Sequence, residues 1–295
     1  MILNTSRLHQ LLDRADGLVD RLEGLVPTAP AAEPQGAHTA WRWQRNGRGA
    51  GGFVGVAAPT GGELEDLHGI DEQRTTLERN TRQFVAGLPC NNALLWGARG
   101  TGKSSLVKAL LKRHADASLR LVEVDAADLV DLPAIVEPLA RRPERFLIFA
   151  DDLAFSGDDP AYRALKAVLE GSVAGAPNNV VIYATSNRRH LMPEFMSENR
   201  EARAVDGEIH PGETTEEKIS LAERFGIWLS FPPFAEADFL VMAEQWLGRI
   251  APDLPFDEEA RAAARRWARA RGSRSGRVAR QFALDWAGAK QLTER

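Results

Sequence analysis

The aliphatic run Ala93-Leu94-Leu95-Trp96 leads straight into Gly97-Ala98-Arg99-Gly100-Thr101-Gly102-Lys103-Ser104, and the amphipathic stretch Ser104–Arg113 follows. This strand–loop–helix unit constrains the fold more than any other feature of the chain. The glycines let the backbone curl so that successive N–H groups face one point. A helix starting there adds unpaired amides and the positive end of its dipole. A glycine-rich turn followed by Lys and Ser in this context is the P-loop pattern. Gly97 through Ser105 then form a phosphate cradle, in which Lys103 reaches the β- and γ-phosphates and the Ser104 hydroxyl takes Mg²⁺. The alternative is a glycine-rich turn that holds no ligand.

Such a loop requires a carboxylate to orient the metal ion. Phe146-Leu147-Ile148-Phe149-Ala150-Asp151-Asp152 is an apolar strand ending in two of them. Asp151 is expected to orient Mg²⁺, and Asp152 stands where a base would polarise the attacking water. The pair could instead cap the next helix. A further strand ends Ala184-Thr185-Ser186-Asn187, and an amide at its tip can hydrogen-bond that water or the γ-phosphate.

Short aliphatic runs at Ala93–Trp96, Leu119–Val124, Arg145–Ala150, Val180–Ala184 and Ile227–Phe231 alternate with helical patterns such as Ser104–Arg113 and Tyr162–Glu170. Strands apolar at nearly every position are buried on both faces, which predicts an α/β fold with a five-stranded parallel sheet between helices. After Pro232-Pro233 only helical patterns remain, at about Ala237–Ile250, Asp257–Arg271 and Ser275–Gln291. Ala260, Ala264 and Trp267 share a face of the second, and Val278, Phe282 and Trp286 share one of the third. At the other end, Leu8, Leu11, Ala15, Leu18, Leu22 and Leu25 stripe an amphipathic helix that Pro27 ends. Trp41-Arg42-Trp43 and the glycine-dense stretch around Phe53-Val54-Gly55-Val56 suit either a hairpin or a flexible arm. The division expected is 1–63 for helix, linker and arm, 64–233 for the nucleotide-binding domain, and 234–295 for a helical lid.

In this order the motifs resemble the AAA+ ATPase superfamily, from about Leu64 onward. A guanine-reading Asn-Lys-x-Asp and the Leu-Ser-Gly-Gly-Gln signature of transporter ATPases are both absent from the sequence. The resemblance implies that Asn187 is sensor 1. It also implies that Arg224, in Leu221-Ala222-Glu223-Arg224-Phe225-Gly226, reaches the γ-phosphate of a neighbouring subunit; an intrachain ion pair is the other reading. Arg277 in Gly272-Ser273-Arg274-Ser275-Gly276-Arg277 matches sensor 2, with Arg274 and Arg280 as alternatives, and the plain reading of the cluster is a solvated helix face. Gly69-Ile70 resembles the pair that packs on adenine. Gly-Thr-Gly-Lys-Ser-Ser-Leu-Val-Lys, Ala-Thr-Ser-Asn-Arg-Arg-His-Leu, Glu-Ile-His-Pro and Ser-Gly-Arg-Val-Ala-Arg-Gln-Phe are similar to one bacterial AAA+-like ATP-binding family of unassigned function. ATP, Mg²⁺ and hydrolysis are therefore expected, slowed by Asp152, one methylene shorter than the usual Glu.

Two uses of ATP follow. One is an oligomeric ATPase that remodels, loads or regulates a protein partner, with the acidic stretch Ser197–Ser220 as a loop at a partner-facing edge. The other, less favoured, is a nucleic-acid-linked switch similar to helicase loaders. In it the eight arginines from Arg261 to Arg280, and Arg42, Arg45 and Arg48 around Trp41 and Trp43, would supply phosphate and stacking contacts. The net charge of −4 argues against it. A small-molecule kinase would need an acceptor pocket that no motif supplies. The single cysteine, Cys90, excludes an intramolecular disulfide and a thiolate zinc site. With no apolar run long enough to span a bilayer and no secretory leader, a cytoplasmic setting is expected.

Overall fold

The computed structural model describes residues 31–45, 51–56, 62–155, 159–171, 177–187, 203–205, 208–210, 221 and 223–293. The leucine-striped helix expected over Leu8–Leu25, Arg48, and most of the acidic stretch Ser197–Ser220 lie outside these residues.

The strands are β1 (Ala40–Arg45), β2 (Gly51–Val56), β3 (Ala93–Gly97), β4 (Leu119–Val124), β5 (Arg145–Ala150), β6 (Val180–Ser186), β7 (Arg203–Val205), β8 (Glu208–His210) and β9 (Ile227–Phe231). Seven of them form one sheet in the order β2-β1-β4-β5-β6-β3-β9, while β7 and β8 pair with each other. Within the seven-stranded sheet all but β2 run parallel, and β7 and β8 are antiparallel. Period-two alternation decides what each face buries. On β5, Phe146, Ile148 and Ala150 enter one apolar cluster and Leu147 and Phe149 the other, all fully buried.

The sheet thus has seven strands rather than the expected five. The two additional strands are the Trp/Gly-rich segment, which forms a hairpin and not a free arm. Trp41, Trp43 and Phe53 are buried, with Trp43 edge-on to Phe53 at 5.0 Å between centroids. The Trp43 indole donates to Asp131 at 3.0 Å. Burying three large aromatic side chains outweighs the entropy of ordering a short hairpin, and β1 gains a parallel partner in β4.

The helices are α1 (Asp71–Val85), α2 (Lys103–His114), α3 (Leu132–Ala140), α4 (Pro160–Glu170), α5 (Glu236–Ile250), α6 (Glu258–Arg271) and α7 (Gly276–Thr293). Their ends follow local chemistry. Asp159 and Asp257 accept hydrogen bonds from the backbone N–H of Ala161 and Ala260, which caps α4 and α6. Gly272, with φ +60°, terminates α6. Leu106, Val107, Leu110 and Leu111 of α2 are buried in the cluster that α1 and the last three helices share. In the helical unit Trp267 meets Phe282 edge-on at 6.4 Å, and Phe282 stacks on Trp286 at 5.9 Å.

One polar group sits deep in this core. The Tyr183 hydroxyl accepts from the Asn80 amide at 2.9 Å and lies 2.9 Å from the Thr81 hydroxyl. Asn80 also donates to the carbonyl of Asn91 and accepts from its N–H, just before β3. Burial pushes the phenol up to about 12, so it stays protonated and the network stays neutral. It fixes α1 against β6 and β3, the strands that carry the cradle and Asn187.

Candidate nucleotide site

Gly97 leaves β3 with φ +135°, and a Cβ there would stand 2.2 Å from the carbonyl oxygen of Phe231 on β9. Ala98 N–H donates to that same carbonyl at 3.0 Å, so the loop begins pressed against the neighbouring strand. Gly100 and Gly102 are also left-handed, at φ +74° and +99°. No L-residue with a side chain adopts these turns cheaply, and three in six positions curl the loop around one centre. Thr101 locks it by donating to the Ala98 carbonyl at 2.8 Å.

Lys103 opens α2 and points back into the loop. Its ammonium donates to the carbonyls of Gly97 and Ala98 at 2.8 and 2.7 Å and to the Asn187 side-chain oxygen at 3.3 Å. Burial pulls its pKa below the usual lysine range, and the Asp151 and Asp152 carboxylates partly restore it. Ser104 donates its hydroxyl to Asp151 at 2.7 Å.

Thr185, fully buried at the end of β6, joins the two carboxylate residues. Its hydroxyl donates to Asp151 at 2.5 Å and accepts from the Asp152 N–H at 2.8 Å. Asp152 itself has φ +54°, a left-handed conformation rare for a residue other than glycine. That twist turns its carboxylate toward Asn187, whose amide donates to it, and to within 3.9 Å of Arg99. Lys103, Ser104, Asp151, Thr185, Asp152 and Asn187 thereby form one connected polar chain at the C-terminal edge of the sheet. Sequence reasoning assigned no role to Thr185. It stands two residues before Asn187, which directly follows β6, so a period-two argument extended by one residue would have placed it on the same face.

The helical unit supplies the opposite wall. A cleft of about 660 Å³ is lined by Gly100–Ser105, Asp151, Asp152 and Asn187, by Ile70 next to Gly102, and by Asp66, His68, Gln245, Trp246 and Arg249. Arg277 and Arg280 both line it; Arg274 does not, and lines a separate cavity. The Cβ of Arg277 lies beside Gly100, whereas Arg280 is held over the Trp246 ring at 5.5 Å. Two contacts tie α5 to the segment preceding α1: Arg249 pairs with Asp66, and the Gln245 amide with the His68 ring. Gly69 takes φ +69° beneath Phe234, which presents the buried Ile70 to the cleft. Gln245, Trp246 and Arg249 carry no sequence signal of their own, because only the folded helical unit brings them here.

Two sequence expectations meet a different environment. Arg224 is half-buried outside this cleft and donates through Nε and Nη2 to Glu170 at the end of α4. Within one chain it makes the ion pair that was the alternative to a finger. Trp41 and Trp43 are buried, and Arg42 and Arg45 pair with Glu123 and Asp131. The two rings are not available for stacking on bases, and Arg42 and Arg45 are already held by carboxylates, which weakens one support for the nucleic-acid reading.

The donor set fits a nucleotide and a hard divalent ion. The cradle of left-handed glycines leaves no room for a Cβ at Gly97, and Ser104 with Asp151 presents oxygen ligands of the kind Mg²⁺ takes beside phosphates. No group of three or more His, Cys, Asp or Glu residues that could hold a metal ion by itself is found among the described residues. Among those residues no helix is long and apolar enough to cross a membrane.

Among solved structures, a RuvB variant from Thermotoga maritima matches 79% of this chain and 67% of its own length, with a TM-score of 0.54 and 14% identity. Another RuvB variant from the same organism matches 75% of this chain and 63% of its own, with a TM-score of 0.48 and 15% identity. The chain thus spans about two thirds of the length of these structures. At such identity the first likeness speaks to the fold alone, which is that of a P-loop NTPase. No curated protein matches the sequence. Residues 36–290 match the family described as "Protein of unknown function (DUF815)", and over that span the chain belongs to this family.

Proposed function

We propose that this protein binds ATP with Mg²⁺ in the cleft, hydrolyses it, and uses the cycle to remodel, load or regulate a protein partner in the cytoplasm. Residues 64–233 act as the nucleotide-binding core and 234–295 as a lid. The observation that carries the reading is the polar chain from Ser104 through Asp151, Thr185, Asp152 and Asn187 to Lys103, faced by Arg277 and Arg280. Bound Mg²⁺ would supply charge neutralisation between the β- and γ-phosphates. The chain's own groups do the remainder. The loop amides and Lys103 hold phosphate oxygens, and Ser104 and Asp151 orient the metal. Asp152, aimed by Asn187, accepts a proton from the attacking water. Arg277, beside Gly100, closes over the phosphates, and Ile70 packs against the base.

Arg224 is read as the residue that a neighbouring copy receives. Its pairing with the exposed Glu170 keeps it near the surface, and assembly on ATP binding would exchange that partner for the neighbour's γ-phosphate. The test compares Arg224→Ala with the unchanged protein. ATP binding should persist, measured by calorimetry, while turnover disappears and light scattering still reports assembly. Unchanged turnover in that variant removes the finger assignment, and absence of ATP binding by the unchanged protein removes the whole reading.

A further inference from the structure

The arginine-rich stretch from Arg261 to Arg280 does not behave as one solvated face. Arg261 pairs with Glu244 and covers Phe256, Arg265 pairs with Glu236, Arg271 covers Trp267, and Arg280 covers Trp246. Arg269 and Arg274 are different. Neither has a carboxylate partner among the described residues, and both line a second cavity of about 870 Å³. This cavity lies at the hinge between core and lid. It shares Arg99, Thr101 and Phe234 with the nucleotide cleft, and Pro233, Ala235 and Ala268 complete its apolar side. Three guanidiniums line it and no carboxylate does.

We propose that this cavity receives an acidic segment of a protein partner, whose carboxylates pair with Arg269, Arg274 and Arg99. Guanidinium forks match carboxylates in bidentate geometry, and the apolar side suits an aliphatic side chain between two acidic ones. A nucleic acid would need a basic track with rings on which bases stack. Here Arg261 and Arg265 of α6 are already paired, and Phe234 is buried to 7% exposure. The site also reports to the chemistry next door. Arg99 now lies 3.9 Å from Asp152. A partner carboxylate competes for that guanidinium and frees Asp152 of a neighbouring positive charge, so docking raises turnover. This second step rests on the proposed ATPase reading; the docking itself does not.

The probe is a fluorescein-labelled peptide of alternating glutamate and leucine, followed by anisotropy with the full chain at low salt. A lysine–leucine peptide and a single-stranded oligonucleotide serve as controls. The glutamate peptide is expected to bind, and Arg269→Glu/Arg274→Glu, two exposed substitutions, should weaken it by about tenfold or more. Melting temperature checks that the variant is folded. Equal binding by the variant, or tighter binding of the oligonucleotide than of the peptide, overturns the proposal. So does loss of self-association in the variant with no peptide bound by the parent, since the occupant would then be a second copy. If the peptide binds as expected but the protein has no ATP turnover, the ATPase reading fails and the docking site stands.

Discussion

Replacing Thr185 by Val should reveal how strongly the acidic strand end is organised by one hydroxyl. Valine has nearly the same shape, so no cavity opens at this fully buried position. Two hydrogen bonds are lost, however: the one given to the Asp151 carboxylate at 2.5 Å and the one accepted from the Asp152 N–H at 2.8 Å. A bond to a charged group contributes about 1.5–3 kcal/mol, and a part-buried N–H left unpaired costs about 1–3 kcal/mol. Asp151 keeps its bond from Ser104, which offsets part of the loss. The sum is about 2–5 kcal/mol, or a fall in melting temperature of about 5–15 °C for a chain of this size. Asp152 should also relax from φ +54°, a conformation costing about 1–2 kcal/mol that the Thr185 bond helps to hold. Its carboxylate would then lose its aim, and a displacement near 1 Å lowers turnover by up to about 100-fold. Thr185→Ser keeps the hydroxyl and loses only a methyl group, at about 1 kcal/mol. The assay is calorimetric melting of both variants together with steady-state phosphate release. If Val and Ser melt within about 2 °C of each other, the hydroxyl does not organise the site and the reasoning fails.

Gly97→Ala should prevent correct folding of the loop, because the new Cβ meets the Phe231 carbonyl at 2.2 Å in a left-handed backbone; ATP binding by calorimetry should be abolished, and retained affinity would contradict the geometry. ATP affinity should decline with rising pH from a point below the usual lysine range, since burial lowers the Lys103 pKa and its ammonium is needed for phosphate; Lys103→Arg, which does not titrate, should flatten that profile. On the acid side, the hydrogen bond from Arg45, aided by that from Trp43, holds the Asp131 carboxyl below its ordinary value, against the effect of burial. The folded pKa is depressed, so its contribution is complete above about pH 4 and is lost as pH falls through the folded value. Tryptophan emission should report the hairpin loosening in that window, and Asp131→Asn should remove that pH-dependent component.

The site was legible where its parts are contiguous in sequence. The cradle, the Asp151-Asp152 strand end and the Asn187 strand tip are each strings of a few residues whose local pattern dictates both conformation and chemistry. Their convergence follows from parallel strands sharing one C-terminal edge. The hairpin was not legible, because alternation in Trp41-Arg42-Trp43 fits an arm equally well until Trp43 finds Phe53 and Asp131, and β1 finds β4 some 80 residues on. Similarly, no local pattern links Arg224 to Glu170, or sends Arg274 to one cavity and Arg277 to the other. These outcomes depend on which groups the lid and core bring face to face.

The Gly276 N–H donates to the Gly100 carbonyl at 3.0 Å, joining the first residue of α7 to the middle of the phosphate loop. Both atoms are main chain, so this tie is invisible to alanine scanning, and its strength is indifferent to every side chain around it. A change in the curl of the loop is carried straight into the tilt of an 18-residue helix, like a clutch with no spring. Only one kind of substitution can disengage it. Proline at position 276 removes the donor, yet it occupies the first turn of a helix, where proline is at home. Its ring Cδ, bonded to that nitrogen, would stand where the N–H now points and crowd the Gly100 oxygen, so the substitution drives loop and helix apart as well as untying them. Such a chain would keep every functional side chain, while its loop and its last helix could no longer inform each other.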